Sequence, residues 1–144
     1  MSPRLICLIP FFAIAASAQQ VKPVVETPVL DAKSQPRLVP VSADIPDAKE
    51  LYLVVSDEGG LACDWANWIA PKLVMKDGSV RDLTGLDWKE AKSGYGKTLK
   101  DLNQDGKPLT VEGKVHAKGI GTHGPSTIAF ALPEGVAKFE AVAA

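Results

Sequence analysis

Two short clusters carry side chains suited to holding a sugar. The first is Asp64-Trp65-Ala66-Asn67-Trp68. A pyranose ring offers a flat patch of C–H groups and a rim of hydroxyls. An indole covers the patch, and planar carboxylate and amide groups pair with the rim. The competing use of Trp65 and Trp68 is as core filling, since a small domain needs large apolar side chains. The second cluster is Thr122-His123, set in Lys118-Gly119-Ile120-Gly121-Thr122-His123-Gly124-Pro125-Ser126. Three glycines there remove a Cβ at close intervals, which permits positive φ or close approach of a ligand or another chain. His123 in such a loop donates to a sugar hydroxyl or a carboxylate; alternatively it packs behind the loop and satisfies buried carbonyls.

A third constellation resembles a metal site. Asp101, Asn103, Asp105, Gly106 and Glu112 match the spacing of an EF-hand calcium loop. The flanks do not match, because Gly94, Gly96, Pro108 and Gly113 leave no room for an entering and an exiting helix. The spacing therefore fits a polar loop, or at most an isolated structural calcium loop on a β-scaffold. His116, His123 and Cys63 lack zinc-ligand spacing. Catalysis finds little support. Asp57 and Glu58 are adjacent and would face opposite sides of a strand, so they cannot flank a glycosidic bond. There is no nucleophile elbow, phosphate loop or dinucleotide fingerprint, and nothing orients His123 as a base for Ser126. The expectation is a chain that is not an enzyme and carries no cofactor.

Short strands must position these groups. Leu51–Ser56 is a Val-rich apolar run ending at Asp57-Glu58-Gly59-Gly60, a strand followed by a turn. Trp65 and Trp68, three apart, would share one face of a helical turn that Pro71 terminates. Lys72–Met75 and Val80–Leu83 flank Asp77-Gly78, which predicts a hairpin on a type I′ turn. Trp88 and Tyr95 lie in polar, Gly-containing surroundings as alternative stacking platforms. Leu109–Val111 and Lys114–Ala117 are weak strands around Glu112-Gly113. In Thr127–Leu132, Ile128, Phe130 and Leu132 form one apolar face, and Ala137–Val142 is a further strand. Short strands separated by turns, with no amphipathic helix, predict an all-β sandwich.

Two motifs in this order resemble the NPCBM family of carbohydrate-binding modules, found beside glycosyl hydrolase family 98 enzymes. One is Leu51–Asp57 with Cys63–Trp68 and Pro71–Val74; the other is Lys118–Ser126. The resemblance spans Ile45 to Ala144. It implies a galactose-binding-like jelly-roll β-sandwich over residues 46–144 that binds glycans of the galactose type without catalysis. The alternative it implies is a docking module of a larger exported hydrolase or dehydrogenase-like protein. Its motifs place ligand-binding side chains among Asp64, Trp65, Asn67, Trp68, Thr122 and His123. Family members continue further, so the resemblance also implies C-terminal strands beyond Ala144 that this chain lacks.

The remainder of the chain reads as delivery and spacing. Arg4, the apolar run Leu5–Ala16 and Ala16-Ser17-Ala18 form a signal peptide over residues 1–18, too short to span a bilayer. Secretion or release to a periplasm follows, with no membrane insertion after cleavage. Pro23, Pro28, Pro36 and Pro40 make residues 19–45 a linker without regular structure. Removal of Cys7 leaves Cys63 as an unpaired thiol, read as a small buried side chain. A formal net charge of −1, with 23% charged residues, gives no electrostatic claim on nucleic acid.

Overall fold

Ile128 and Phe130 point one way and Thr127 and Ala131 the other. This two-residue period, repeated in strand after strand, builds two sheets with a shared interior. The computed structural model describes residues 22–31, 33–57 and 64–144. The strands are β1 (Val39–Asp44), β2 (Glu50–Val55), β3 (Trp65–Met75), β4 (Val80–Asp82), β5 (Trp88–Lys92), β6 (Leu99–Lys100), β7 (Leu109–Val111), β8 (Lys114–His116), β9 (Gly119–His123), β10 (Ser126–Ala131) and β11 (Val136–Ala143). One 3-10 turn, Leu83–Gly85, follows β4. No helix among the described residues is long and apolar enough to cross a membrane.

The larger sheet runs β1-β11-β3-β9-β6, with β4 also paired to β3. The smaller runs β2-β10-β5, and β7 with β8 forms a separate hairpin. Every pairing is antiparallel. The fold is an all-β sandwich. Leu53, Ile128 and Phe130 of the smaller sheet join Val41, Leu73, Met75, Ile120, Val136, Phe139 and Ala141 of the larger in one buried cluster. Trp88 closes one side, its ring edge-on to Phe130 at 6.5 Å.

Four local expectations change. The stretch 64–71, read as a loop with a helical turn, belongs to a single long strand, β3. Ala70 is the extra residue of a bulge: Glu140 pairs with Lys72 and Val142 with Ile69, so Ala70 and Pro71 both face Ala141. Ala70 takes φ 45°, and Pro71, having no N–H, suits a bulge. The bulge reverses the alternation. Before it Trp68 points inward against the core; after it Leu73 and Met75 do. Trp65 and Trp68, three apart in regular strand before the bulge, lie on opposite faces.

The Gly-rich stretch read as a loop is mostly strand β9, buried along its length. Its glycines serve close approach. A Cβ on Gly121 would stand 2.5 Å from both Asn103 Cα and Leu102 O, and one on Gly119 would stand 2.8 Å from Trp68 O. The hairpin turns also differ from expectation. Between β3 and β4 only Gly78 has positive φ, 83°, and Met75 N donates to Ser79 O at 2.8 Å, which describes a three-residue loop. The type I′ turn is at Glu112-Gly113 instead, with φ of 49° and 79°, bridging Val111 and Lys114.

Part of the stretch read as an irregular linker is ordered into the sheet. β1 pairs in unbroken register with β11, from Val39 opposite Ala143 to Asp44 opposite Lys138. Val41 and Ala43 alternate inward. Pro40 is accommodated because β1 is an edge strand. The signal peptide, Glu58-Gly59-Gly60 and Cys63 lie outside the described residues.

Candidate functional site

β3 and β9 bring the two sequence clusters side by side and then divide them between faces. Trp65 is opposite His123, Ala66 opposite Thr122, Asn67 opposite Gly121 and Trp68 opposite Ile120. Cross-strand partners share a face. Trp65, Asn67 and His123 thus lie on the outer face, while Trp68 and Thr122 point toward the other sheet.

The inner-face pair is structural in its contacts. Trp68 packs against the core, and its Nε1 is buried with no hydrogen-bond partner among the described residues. Thr122 is fully buried. Its hydroxyl donates to Ser126 Oγ at 2.8 Å and meets Thr98 Oγ1 at 2.9 Å. Thr122 has one proton, which goes to Ser126, so Thr98 is the donor of the second bond. The result is a hydroxyl relay from the loop after β5, through the larger sheet, to the smaller one.

His123 lies on the outer face but is also buried. Its Nδ1 is 2.7 Å from Gly124 O; a carbonyl only accepts, so Nδ1 carries the proton. The exposed Tyr95 ring stands edge-on over the imidazole at 5.7 Å, and Ser93 Oγ accepts from His123 N–H at 3.2 Å. Asp64, half-buried, uses its carbonyl to accept from Gly124 N at 2.8 Å.

Trp65 differs from all of these. Its side chain is 54% exposed, although it sits in the sheet opposite a buried His123. With Asn67 it floors a groove of about 460 Å³ on the outer face. One wall comes from Thr110, Val111 and Glu112 of the β7–β8 hairpin, the other from Leu30, Asp31 and Arg37. The hairpin is anchored by Leu109, fully buried, whose Cδ1 occupies the space a Gly119 side chain would need. Asp31 is held in place: Oδ1 accepts from Lys33 N at 2.8 Å and from Ser34 Oγ at 3.0 Å. These bonds, the backbone one foremost, lower the Asp31 carboxyl pKa below its ordinary value.

Of the expected ligand residues, Trp65 and Asn67 meet in the groove, while Asp64, Trp68, Thr122 and His123 do not line it. Asp31, Arg37 and Glu112 also line the groove, and the sequence motifs do not point to them. The first two lie in the stretch read as a linker, and Glu112 was noticed only for its place in a calcium-like spacing. That spacing is not gathered around a point. Asp101 receives Lys118 Nζ at 3.0 Å and Gly119 N–H at 3.2 Å. Asn103 Oδ1 caps the N–H groups of Asp105 and Lys107, and Asp105 accepts from Gln104 Nε2 at 2.7 Å. No group of three or more acidic, His or Cys residues able to hold a metal occurs among the described residues.

The sequence model of the NPCBM/NEW2 domain matches residues 12–74 and 80–144. The chain belongs to that family. NPCBM/NEW2 domains are a family of carbohydrate-binding modules, non-catalytic in general. The match begins well before Ile45 and takes in β1 and the Asp31–Arg37 wall of the groove. No curated protein and no solved structure matches the chain.

Proposed function

We propose that this NPCBM protein is an exported, non-catalytic module that binds galactose-type glycans in the Trp65 groove. The observation that carries the reading is the half-exposed indole of Trp65, laid on a rigid sheet and bordered by Asn67, Asp31, Arg37 and Glu112. A sugar ring would stack on the indole and exchange hydrogen bonds with that border. The groove is open and buries little of a ligand, so affinity for a single glycan should be weak, with Kd on the order of 0.1–1 mM. Residues 1–18 supply the export signal, and secretion or periplasmic release completes the proposal.

A glycan-array screen of the folded, exported protein tests this, with intact mass reporting a start at Gln19. Binding to a defined set of galactosides is expected. Trp65→Ala should weaken it at least about tenfold, the loss of one stacking contact, and leave the circular dichroism spectrum unchanged. Equal binding by the variant would remove the groove from the account. A folded protein that binds no glycan would favour docking against a catalytic domain. The observation behind that second reading is the exposed pair Tyr52 and Val54 on the outer face of β2.

A further inference from the structure

The groove contains one residue whose type does not suit its backbone. Glu112 is the first central residue of the type I′ turn, with φ 49°. That conformation favours Gly, which has no Cβ to crowd the carbonyl oxygen, and Asn or Asp, whose short polar side chains offset the crowding by bonding to the local backbone. Glu at this position is tolerated rather than chosen by the turn. Its side chain is exposed on the groove wall, and none of the ion pairs among the described residues uses it. The other groove carboxylate, Asp31, already accepts at Oδ1 from the Lys33 N–H and the Ser34 hydroxyl, which leaves Glu112 as the groove carboxylate with no such bond at either oxygen among the described hydrogen bonds.

We infer that Glu112 is a specificity residue of the groove, the carboxylate that accepts two neighbouring hydroxyls of a neutral glycan and turns away anionic ones. The inference rests on the carbohydrate-binding reading above. An ionised carboxylate has two acceptor oxygens and matches a vicinal diol with two O–H donors. Asn67 supplies both a donor and an acceptor, and Arg37 supplies donors only. A sulfated or sialylated sugar would bring its charge toward two carboxylates, Asp31 and Glu112, against one guanidinium.

The test uses the exported protein on an array carrying galactosides beside their sulfated and sialylated counterparts, with thermal unfolding as a second readout. Glu112→Asn fits the turn and should raise Tm by about 2–5 °C. The same variant should bind neutral galactosides at least tenfold more weakly. Glu112→Gln keeps the length and the strain, and should lose affinity to a similar degree with no gain in Tm. Its preference for neutral over anionic glycans should shrink. If both variants bind as the parent does while Trp65→Ala does not, the role of Glu112 is overturned and the groove stands. If Trp65→Ala also binds as the parent does, the groove reading itself has failed.

Discussion

Thr122 shows how much a single hydroxyl can carry. It was singled out because it stands beside His123 in a Gly-rich motif, and its chemistry turns out to be internal. Thr122→Val keeps the shape and removes the link between Thr98 and Ser126. The Ser126 hydroxyl, itself buried, would lose its donor. We expect a loss of about 1–3 kcal/mol in urea unfolding, with glycan binding unchanged because Thr122 faces away from the groove. Weaker glycan binding at unchanged stability would contradict this placement. The residue types in both clusters are legible in the sequence, but their facing is not. Facing depends on register, and register is fixed by pairing partners distant in the chain. Trp65 and Trp68 have the same chemistry, yet one is on the surface and the other against the core.

At the scale of the strand, β9 shows why a Gly-rich sequence reads as a loop yet folds as a strand. Glycine is depleted in strands, so three of them argue locally for irregular backbone. What outweighs this is the chain crossing above: the backbone of Leu102 and Asn103 lies where a Gly121 side chain would be. Gly121→Ala should destabilise by about 3 kcal/mol, because backbone rather than a pliable side chain must move. A shift in the denaturation midpoint measures it, and a neutral result would mean that the 102–103 segment yields freely. β10 is readable because Ile128 and Phe130 alternate with more polar or smaller neighbours, and β11 because Phe139, Ala141 and Ala143 do, with the alternation broken only near Val136; turn residues such as Pro133-Glu134-Gly135 mark their ends. β1 is not readable, since Pro40 argues against a strand unless the strand is known to lie at an edge. Similarly, Asp77-Gly78 carries the sequence cue of a type I′ turn, while the turn formed is at Glu112-Gly113, where the cue is weaker.

Over the whole molecule, the described ion pairs lie near the surface and several tie distant segments together. Lys76 donates to Asp47 at 2.7 Å, joining the β3–β4 turn to the segment between β1 and β2. Lys89 pairs with Glu50 across the smaller sheet. The Lys76 hydrogen bond lowers the Asp47 pKa, and the Lys89 bond, followed by that from Tyr52, lowers Glu50. Asp77 is lowered by the Ser79 hydroxyl, as Asp31 is by its own loop. Each carboxyl is more acidic folded than unfolded. Its stabilisation is therefore complete above the ordinary carboxylate range near pH 4 and is lost as pH falls through the lowered values. Tm should hold between about pH 7 and 5 and fall below about pH 4. The groups are exposed, so added salt should reduce the effect. A Tm independent of pH down to about 2 would show that these bonds do not contribute.

Ala70 has a consequence for anyone who would re-engineer the protein. Upstream of it, positions 65 and 67 of β3 face outward into the groove; downstream, positions 73 and 75 face the interior. One strand thus carries two patterns in opposite phase, a groove-facing one first and a core-facing one second. A library randomised at 65 and 67 would sample new specificities without disturbing the packing of Leu73 and Met75. Deleting the single codon for Ala70 would leave one unbroken alternation, with 65 and 67 still outward and Leu73 and Met75 still inward, at the cost of the local bend that the bulge gives the strand.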